Sequence, residues 1–504
     1  MSSVTGSKTR ENHYDVIIAG GGVVGASIAR ELSKYSLSVL VLEREADIGM
    51  GTTKANTGIV HSGFNVTKET VKGKLNIEAN PLFDELTSEL DIPFERNGTL
   101  MLAFDENDKK HLLDYKENAQ KQGVPSLEWW SREKVLEQEP QVNQQVIGAL
   151  YAGTGAIICP FQLNLALIES AAINGVTVIR GVGVNDVITD KEDSGRTKFQ
   201  GVSTNRGIFT ADYFINACGL YGDEIYNVTD TEDMSLIPVK GEYYLFDESY
   251  QIGITRTIAY TPNGDTKGVM VTPTTYGNLM VGPNSEEVED KNDVSNSGPG
   301  LNEVLDKGMK LVPNLDIKKS IRTFSGLRAS GLSDFHIGPS SSVDGVFHTV
   351  GINSPGLTAA PLIGKEVIDR MREQGLSFIE EDNYQLGRPK RIRLRDENYE
   401  KWQTMIDQES DFGQIICRCE HVTLGEIKDA IRRPVGARTL EGIKRRTKAY
   451  TGRCQGGFCS PRLVKILQEE LNLNATEITY SGQGSEVLVS PLKKLWSKEA
   501  GDES

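Results

Sequence analysis

The chain has 504 residues, of which 38% are hydrophobic and 25% charged; that balance belongs to a soluble globular protein, and the length calls for two to four domains. Its formal charge of −15 sets the surface as a whole against nucleic acid and anionic lipid. No apolar run reaches the roughly 18 residues that cross a bilayer, and residues 1–12 lack the apolar core of a signal peptide, so a cytoplasmic protein is expected.

Taken in chain order, YDVIIA at 14–19 is a short, nearly continuous apolar run, as in a parallel strand buried on both faces. A glycine turn follows, and Val24, Ile28 and Leu32 then recur at helical spacing. SVLVL at 38–42 is a second buried strand, completing a βαβ unit. Residues 82–122 are mostly amphipathic and charged, with breaks at Asp91-Ile92-Pro93 and Asn97-Gly98. A helix is predicted over 161–174, leading to a strand at 176–179, and 212–219 forms another strand running into small residues. Short strands between 237 and 281 predict a largely antiparallel sheet. VFHTV at 346–350 is again a buried strand, and 353–358 opens a helix over 359–373. The basic, proline-containing stretch GRPKRIRLR at 387–395 starts a linker, expected over 387–411. A compact module at 412–473 and a polar tail at 474–504 complete the chain.

Gly20-Gly21-Gly22-Val23-Val24-Gly25 fits GxGxxG directly after a strand and before a helix. Gly20 permits the tight turn, Gly22 lets backbone approach a pyrophosphate, and Gly25 lets helix and strand pack closely. The helix N-terminus adds unpaired N–H groups and a positive dipole end. Glu43, closing the second strand, suits the ribose hydroxyls and repels a 2′-phosphate. With both strands, the helix and the acid in place, the motif specifies dinucleotide binding. The small and hydroxyl residues of 49–58 suit backbone contact along a long cofactor, which favours FAD over NAD.

Here the sequence resembles the D-amino-acid oxidase/glycerol-3-phosphate dehydrogenase superfamily of flavoproteins. The resemblance rests on 56–63, 215–219, Phe324-Ser325-Gly326-Leu327-Arg328 and 351–358, and it covers almost all of 14–375 in the family's order. It implies an α/β (α+β overall) architecture over 14–386. A Rossmann-like FAD-binding domain would take about 14–80, 150–225 and 325–375, and an antiparallel-sheet substrate domain about 81–149 and 226–324. The expected cofactor contacts are Gly20, Gly22, Val23, Val24, Gly25, Glu43, Arg44, Thr52, Thr53, Asn56, Thr57, Gly58, Ile59, Val184, Ala217, Gly219, Gly351, Gly356, Leu357 and Thr358.

On the substrate side, His61 is one of six histidines and sits among glycine and serine. Hydride loss from a carbinol carbon requires a group to take the hydroxyl proton, and imidazole titrates near neutrality. The resemblance places this histidine beside the flavin and places Arg328 at the acidic end of the substrate, where a planar fork of donors suits carboxylate or phosphate. Lys240 and Tyr244 resemble the segment passing over the flavin's substrate face. Trp129 and Trp130 are expected only to pack.

Four of the six cysteines fall near the end of the chain, as Cys417-Arg418-Cys419 and Cys454…Cys459. Four thiolates can close a zinc site or hold a 2Fe–2S cluster. The single residue within the first pair and the glycines at 452, 456 and 457 favour the cluster over zinc. GRCQGGFCSPR makes 412–470 similar to the bacterioferritin-associated-ferredoxin type of 2Fe–2S domain, as found at the end of the catalytic chains of anaerobic glycerol-3-phosphate dehydrogenases. The expected function is therefore an FAD-dependent dehydrogenase that oxidises a small anionic hydroxy compound, foremost glycerol 3-phosphate, and passes electrons singly to a partner subunit or quinone. The alternatives are an L-2-hydroxyglutarate dehydrogenase, an amino-acid dehydrogenase subunit, or an electron-transfer protein in which the flavin part is subsidiary. The basic runs at 390–395 and 444–446 are expected to be solvated, with docking of an acidic partner as the alternative. No transmembrane segment is expected, which leaves room for peripheral membrane association through a partner.

Overall fold

A computed structural model describes residues 13–193, 195–261 and 268–490. Residues 1–12 and the last part of the tail, 491–504, lie outside the described residues. The glycine turn sits at the end of a sheet whose central strand is His13–Ala19, flanked in parallel by Val39–Glu43 and Gly207–Asn216. Val16 to Ala19 are at most 2% exposed, which is why this strand reads as a continuous apolar run and not as an alternation. Helix Val23–Leu32 leaves the turn and packs against helices Pro160–Ile173 and Gly356–Glu373. Strand Val346–Val350 pairs in parallel with Gly207–Asn216 and brings the second half of the chain back to the same strand ends.

The second sheet is built on the long antiparallel pair Ile237–Phe246 and Ser320–Ser330 and runs outward through Leu279–Gly282, Met270–Pro273 and Thr257–Tyr260. It continues through Thr99–Ala103, which joins Thr257–Tyr260 in parallel. Thr99–Ala103 lies within the stretch read as amphipathic. All five of its residues are buried, so no period-two alternation marked it.

Beyond residue 411, helices Leu424–Arg432, Leu440–Thr447 and Ser460–Leu471 close a small core of their own around Ile427, Ile443, Leu463 and Leu467. Thr423 and Glu426 form a capping box at the first of these helices, satisfying two of its end donors.

Three expectations need correction here. The 387–411 stretch is docked and not a free linker: Arg388 is buried, pairs with Glu169 at 2.5 Å and donates to the Leu90 carbonyl at 2.8 Å, and Tyr399–Gln408 is helical. The 444–446 run is not solvated, since Arg445 and Arg446 are buried around Asp47. The described part of the tail folds onto the module: Ile478 is fully buried, and Glu441 N–H donates to the Tyr480 carbonyl at 2.8 Å. In each case a local run of charge or polarity carried no sign of a partner far away in sequence.

Candidate active site

A cavity of about 1980 Å³ opens where the first sheet's strand ends meet the second sheet and the C-terminal module. At its floor the turn admits only glycine. Gly20 has φ +107°, and a Cβ there would stand 2.3 Å from the Ala217 carbonyl oxygen. One on Gly25 would meet the Gly20 oxygen at 2.0 Å. Gly22 faces the cavity at the N-terminus of helix Val23–Leu32, which has no acidic residue in its first turn. This is a bare backbone cradle whose N–H groups and dipole suit a pyrophosphate. Both Glu43 oxygens accept from backbone, Oε2 from Gly21 N–H at 2.8 Å and Oε1 from Glu45 N–H at 2.9 Å. Burial nevertheless pushes its carboxyl up to about 7. Arg44 lies over the Tyr221 ring at 4.1 Å.

Val23, Val24, Arg44, Thr52, Thr53, Asn56, Thr57, Ile59, Val184, Ala217, Gly219, Gly356 and Leu357 line the cavity. Gly25, Gly58, Gly351 and Thr358, also expected as cofactor contacts, are not among the residues that line it. Asn56 shapes the loop by donating to the Thr52 and Thr53 carbonyls and accepting from Gly58 N–H at 2.8 Å. Thr52 Oγ1 ties that loop to the second sheet through the Leu327 carbonyl at 2.6 Å. Gly58 and Gly351 hold φ of +66° and +70°, a backbone that side chains disfavour.

His61 lines the same cavity and is fixed at both backbone groups. Its N–H donates to Thr358 Oγ1 at 2.9 Å, and its carbonyl accepts from Asn80 Nδ2 at 3.0 Å. Opposite stands the long antiparallel pair, where Val239 faces Arg328 and Tyr243 faces Phe324. Side chains alternate along a strand, so Val239, Tyr243 and Leu245 line the cavity while Lys240 and Tyr244 do not. Lys240 is turned away and paired with Asp293 at 3.0 Å and Glu286 at 3.6 Å. Sequence reading thus chose the wrong face of this strand. Tyr243, stacked on Phe324 at 4.6 Å with rings 6° apart, is the residue it missed; the strand is buried on both faces over most of its length, so no polar–apolar alternation told them apart. Arg328 donates to the Asn284 carbonyl at 3.0 Å and, more weakly, to that of Val239 at 3.4 Å. Among the described residues it meets carbonyls and not carboxylates, and burial pulls its pKa down. A guanidinium with carbonyl partners in a cavity wall has the chemistry that suits an anion.

Among the described residues no three His, Cys, Asp or Glu side chains form a group that could hold one metal ion. The four C-terminal thiols instead stand as two pairs. Cys419 and Cys454 are exposed, with their sulfurs 3.5 Å apart. Cys417 and Cys459 are buried and hydrogen-bonded to each other, which lowers the first thiol's pKa and raises the second's. Two pairs suit a dinuclear cluster better than the single tetrahedral centre of zinc. Nearby backbone N–H groups also favour thiolate, that of Tyr450 at Cys417 and Cys459 and those of Phe458 and Gly456 at Cys454. The module also forms part of the cavity wall through Glu441, Lys444, Arg445 and Lys448. Lys448 lies over the Tyr276 ring at 4.6 Å and pairs with Glu420, next to Cys419, at 3.0 Å.

Comparison with known proteins agrees with this geometry. The profile of the DAO family, FAD dependent oxidoreductases, matches residues 15–370, and that of BFD-like 2Fe–2S binding domains matches 415–469. Glycerol 3-phosphate dehydrogenase of Caloramator mitchellensis is 42% identical over 484 residues, 95% of this chain and 99% of that protein. Glycerol 3-phosphate oxidase of Mycoplasma genitalium is 30% identical over 361 residues, covering 70% of this chain and 94% of its own. Among solved structures, the dithionite-reduced L-alpha-glycerophosphate oxidase from Mycoplasma pneumoniae with FAD bound superimposes with a TM-score of 0.70 at 26% identity, over 75% of this chain and 99% of that one. The chain belongs to the DAO family of FAD dependent oxidoreductases and carries a BFD-like 2Fe–2S binding domain behind the catalytic part.

Proposed function

We propose that this protein oxidises glycerol 3-phosphate to dihydroxyacetone phosphate on the cytoplasmic side and delivers the electrons singly to a partner protein or quinone. The observation that carries the reading is Arg328, a half-buried guanidinium in the cavity wall held by carbonyls. The near full-length likeness to glycerol 3-phosphate dehydrogenase supplies the anion's identity. Bound FAD supplies a two-electron acceptor and the bound 2Fe–2S cluster a one-electron carrier.

The chain's own residues do the rest. The Gly20–Gly25 backbone and the helix behind it hold the pyrophosphate. Arg328 offers its fork to the substrate phosphate, so the carbinol end lies further along the cavity, on the side His61 lines. His61, its backbone fixed by Thr358 and Asn80, takes the hydroxyl proton as general base. Tyr243 and Phe324 wall the cavity with stacked rings and limit water around the reacting carbon. Residues 14–386 form the catalytic part in this reading, and 412–473 the cluster domain.

Anaerobic addition of glycerol 3-phosphate is expected to bleach the flavin absorbance, while L-2-hydroxyglutarate and amino acids leave it unchanged. Absence of bleaching by glycerol 3-phosphate would sink the proposal. His61→Asn should retain FAD and bleach more slowly by roughly 10²- to 10⁴-fold; an unchanged rate would remove His61 from the reaction.

A further inference from the structure

The chain is acidic overall, at −15, yet the exposed pair of cluster thiols lies in basic and aromatic surroundings. Cys419 and Cys454 are the exposed pair, and Arg418, Arg453, Phe458 and Arg462 are exposed beside them in sequence and in space. Arg418 and Arg462 both lie against the Phe458 ring, at 4.5 and 5.1 Å. Phe458 is 43% exposed, an apolar ring set between the two guanidinium groups. What faces these two guanidinium groups among the described residues is that ring and, for Arg462, the Ile415 carbonyl at 3.4 Å. Arg453 differs, since Asp247 of the second sheet holds it at 3.2 Å. The same module lines the cavity through Glu441, Lys444 and Lys448 and, beside Cys454, through Thr451 and Gln455. Its exposed thiol edge is where it meets the outside.

We propose that this rim, Arg418 and Arg462 around Phe458, is the docking surface for an acidic one-electron carrier protein. The inference rests on the proposed dehydrogenase reading and names the partner of the same electron exit. Charge complementarity selects the occupant. Two guanidinium groups without carboxylate partners among the described residues, on a chain of opposite net sign, form a local target for an acidic face and a poor one for a basic protein. An anionic membrane meets the same two arginines but also the repulsion of the whole acidic surface. Short-lived carrier encounters need only a small interface, with one apolar centre and a charged rim, and Phe458 between two arginines has that form. The balance is simple. Glycerol 3-phosphate loses two electrons and two protons to become dihydroxyacetone phosphate, and two carrier molecules are reduced by one electron each.

The test uses the full-length protein loaded with FAD and cluster, with plastocyanin as the acidic carrier and cytochrome c as the basic one. Wild type should reduce copper(II) plastocyanin with a rate constant that falls steeply as salt rises, because screening at about 0.15 M leaves a Debye length of about 8 Å. R418E/R462E should slow that rate roughly tenfold or more, weaken plastocyanin binding measured without turnover, and raise the rate with cytochrome c. Flavin bleaching by glycerol 3-phosphate and the acid-labile sulfide content should not change. R418Q/R462Q should fall between the two. Equal plastocyanin rates and binding in wild type and R418E/R462E, with bleaching and sulfide intact, would overturn the docking surface and leave the dehydrogenase reading standing. Loss of bleaching in wild type would overturn that reading instead. Binding to phosphatidylglycerol vesicles at physiological salt that R418E/R462E abolishes would assign the rim to a membrane and overturn the carrier.

Discussion

Two sites in this molecule turn arginine inward on opposite terms. Around Asp47, Arg445 and Arg446 approach one carboxylate at 2.8 and 2.6 Å, and Arg180 approaches it at 3.1 Å. At the cavity wall, Arg328 is held by main-chain carbonyls. The first arrangement sets three guanidinium groups on one carboxylate inside the fold and joins two parts of the chain. The second meets carbonyls and no carboxylate among the described residues. An inward-facing arginine is therefore read by what its guanidinium faces.

The largest effect should come from breaking the first site. Burial alone would raise the Asp47 pKa, but Arg446 and Arg445 outweigh it and hold the carboxyl well below the usual range. Asp47→Asn leaves two buried guanidinium groups facing an amide, a loss of about 3–5 kcal/mol. Urea unfolding should move to a lower midpoint, and proteolysis should release the C-terminal module earlier. The pH dependence carries the same sign. A depressed carboxyl gives its stabilisation above its unfolded pKa of about 3.9 and loses it as pH falls further. Acid should thus weaken module docking in wild type below about pH 4, and the Asn variant should lack that limb. An unchanged urea midpoint would show that Asp47 is not what holds the module.

How much of this was legible in the sequence follows the distance over which each feature is encoded. The Gly20–Gly25 cradle is local: strand, turn, helix and Glu43 all fall within residues 13–43, and Gly20 and Gly25 answer to steric needs of their neighbours. The thiol pairs are nearly as local. Asp47 was unreadable, because a lone aspartate becomes the centre of several ion pairs only when residues near 180 and 446 arrive beside it. The same holds for Arg388 and Glu169, whose pairing turned an expected linker into a docked strap. The wrong face at Lys240 was a smaller failure, of strand parity and not of distance.

The second site should respond in activity and not in stability. Arg328→Met removes a charge that has no carboxylate partner among the described residues, so thermal unfolding should stay where it is or rise. The kcat/KM for glycerol 3-phosphate should fall by about 1.5–3 kcal/mol, roughly ten- to a hundredfold, for loss of charge-assisted hydrogen bonds to the anion. Steady-state kinetics with an artificial acceptor would measure it. A drop in stability with unchanged kcat/KM would turn Arg328 into a second Asp47-like staple and dissolve the contrast.

The smallest effect tests strand parity. Lys240 lies one residue from Val239, the strand partner of Arg328, yet its amine points to Asp293 and Glu286 on the far side. Burial lowers its pKa, and these carboxylates more than restore it. Both carboxylates are partly open to solvent, so Lys240→Met leaves them hydrated and should cost only about 1 kcal/mol of stability. If the amine reached the substrate phosphate, the same change would raise KM as strongly as the loss of Arg328. An unchanged KM beside a slightly lowered melting temperature is the expected pair of results, because on a strand the neighbouring side chain serves the opposite face.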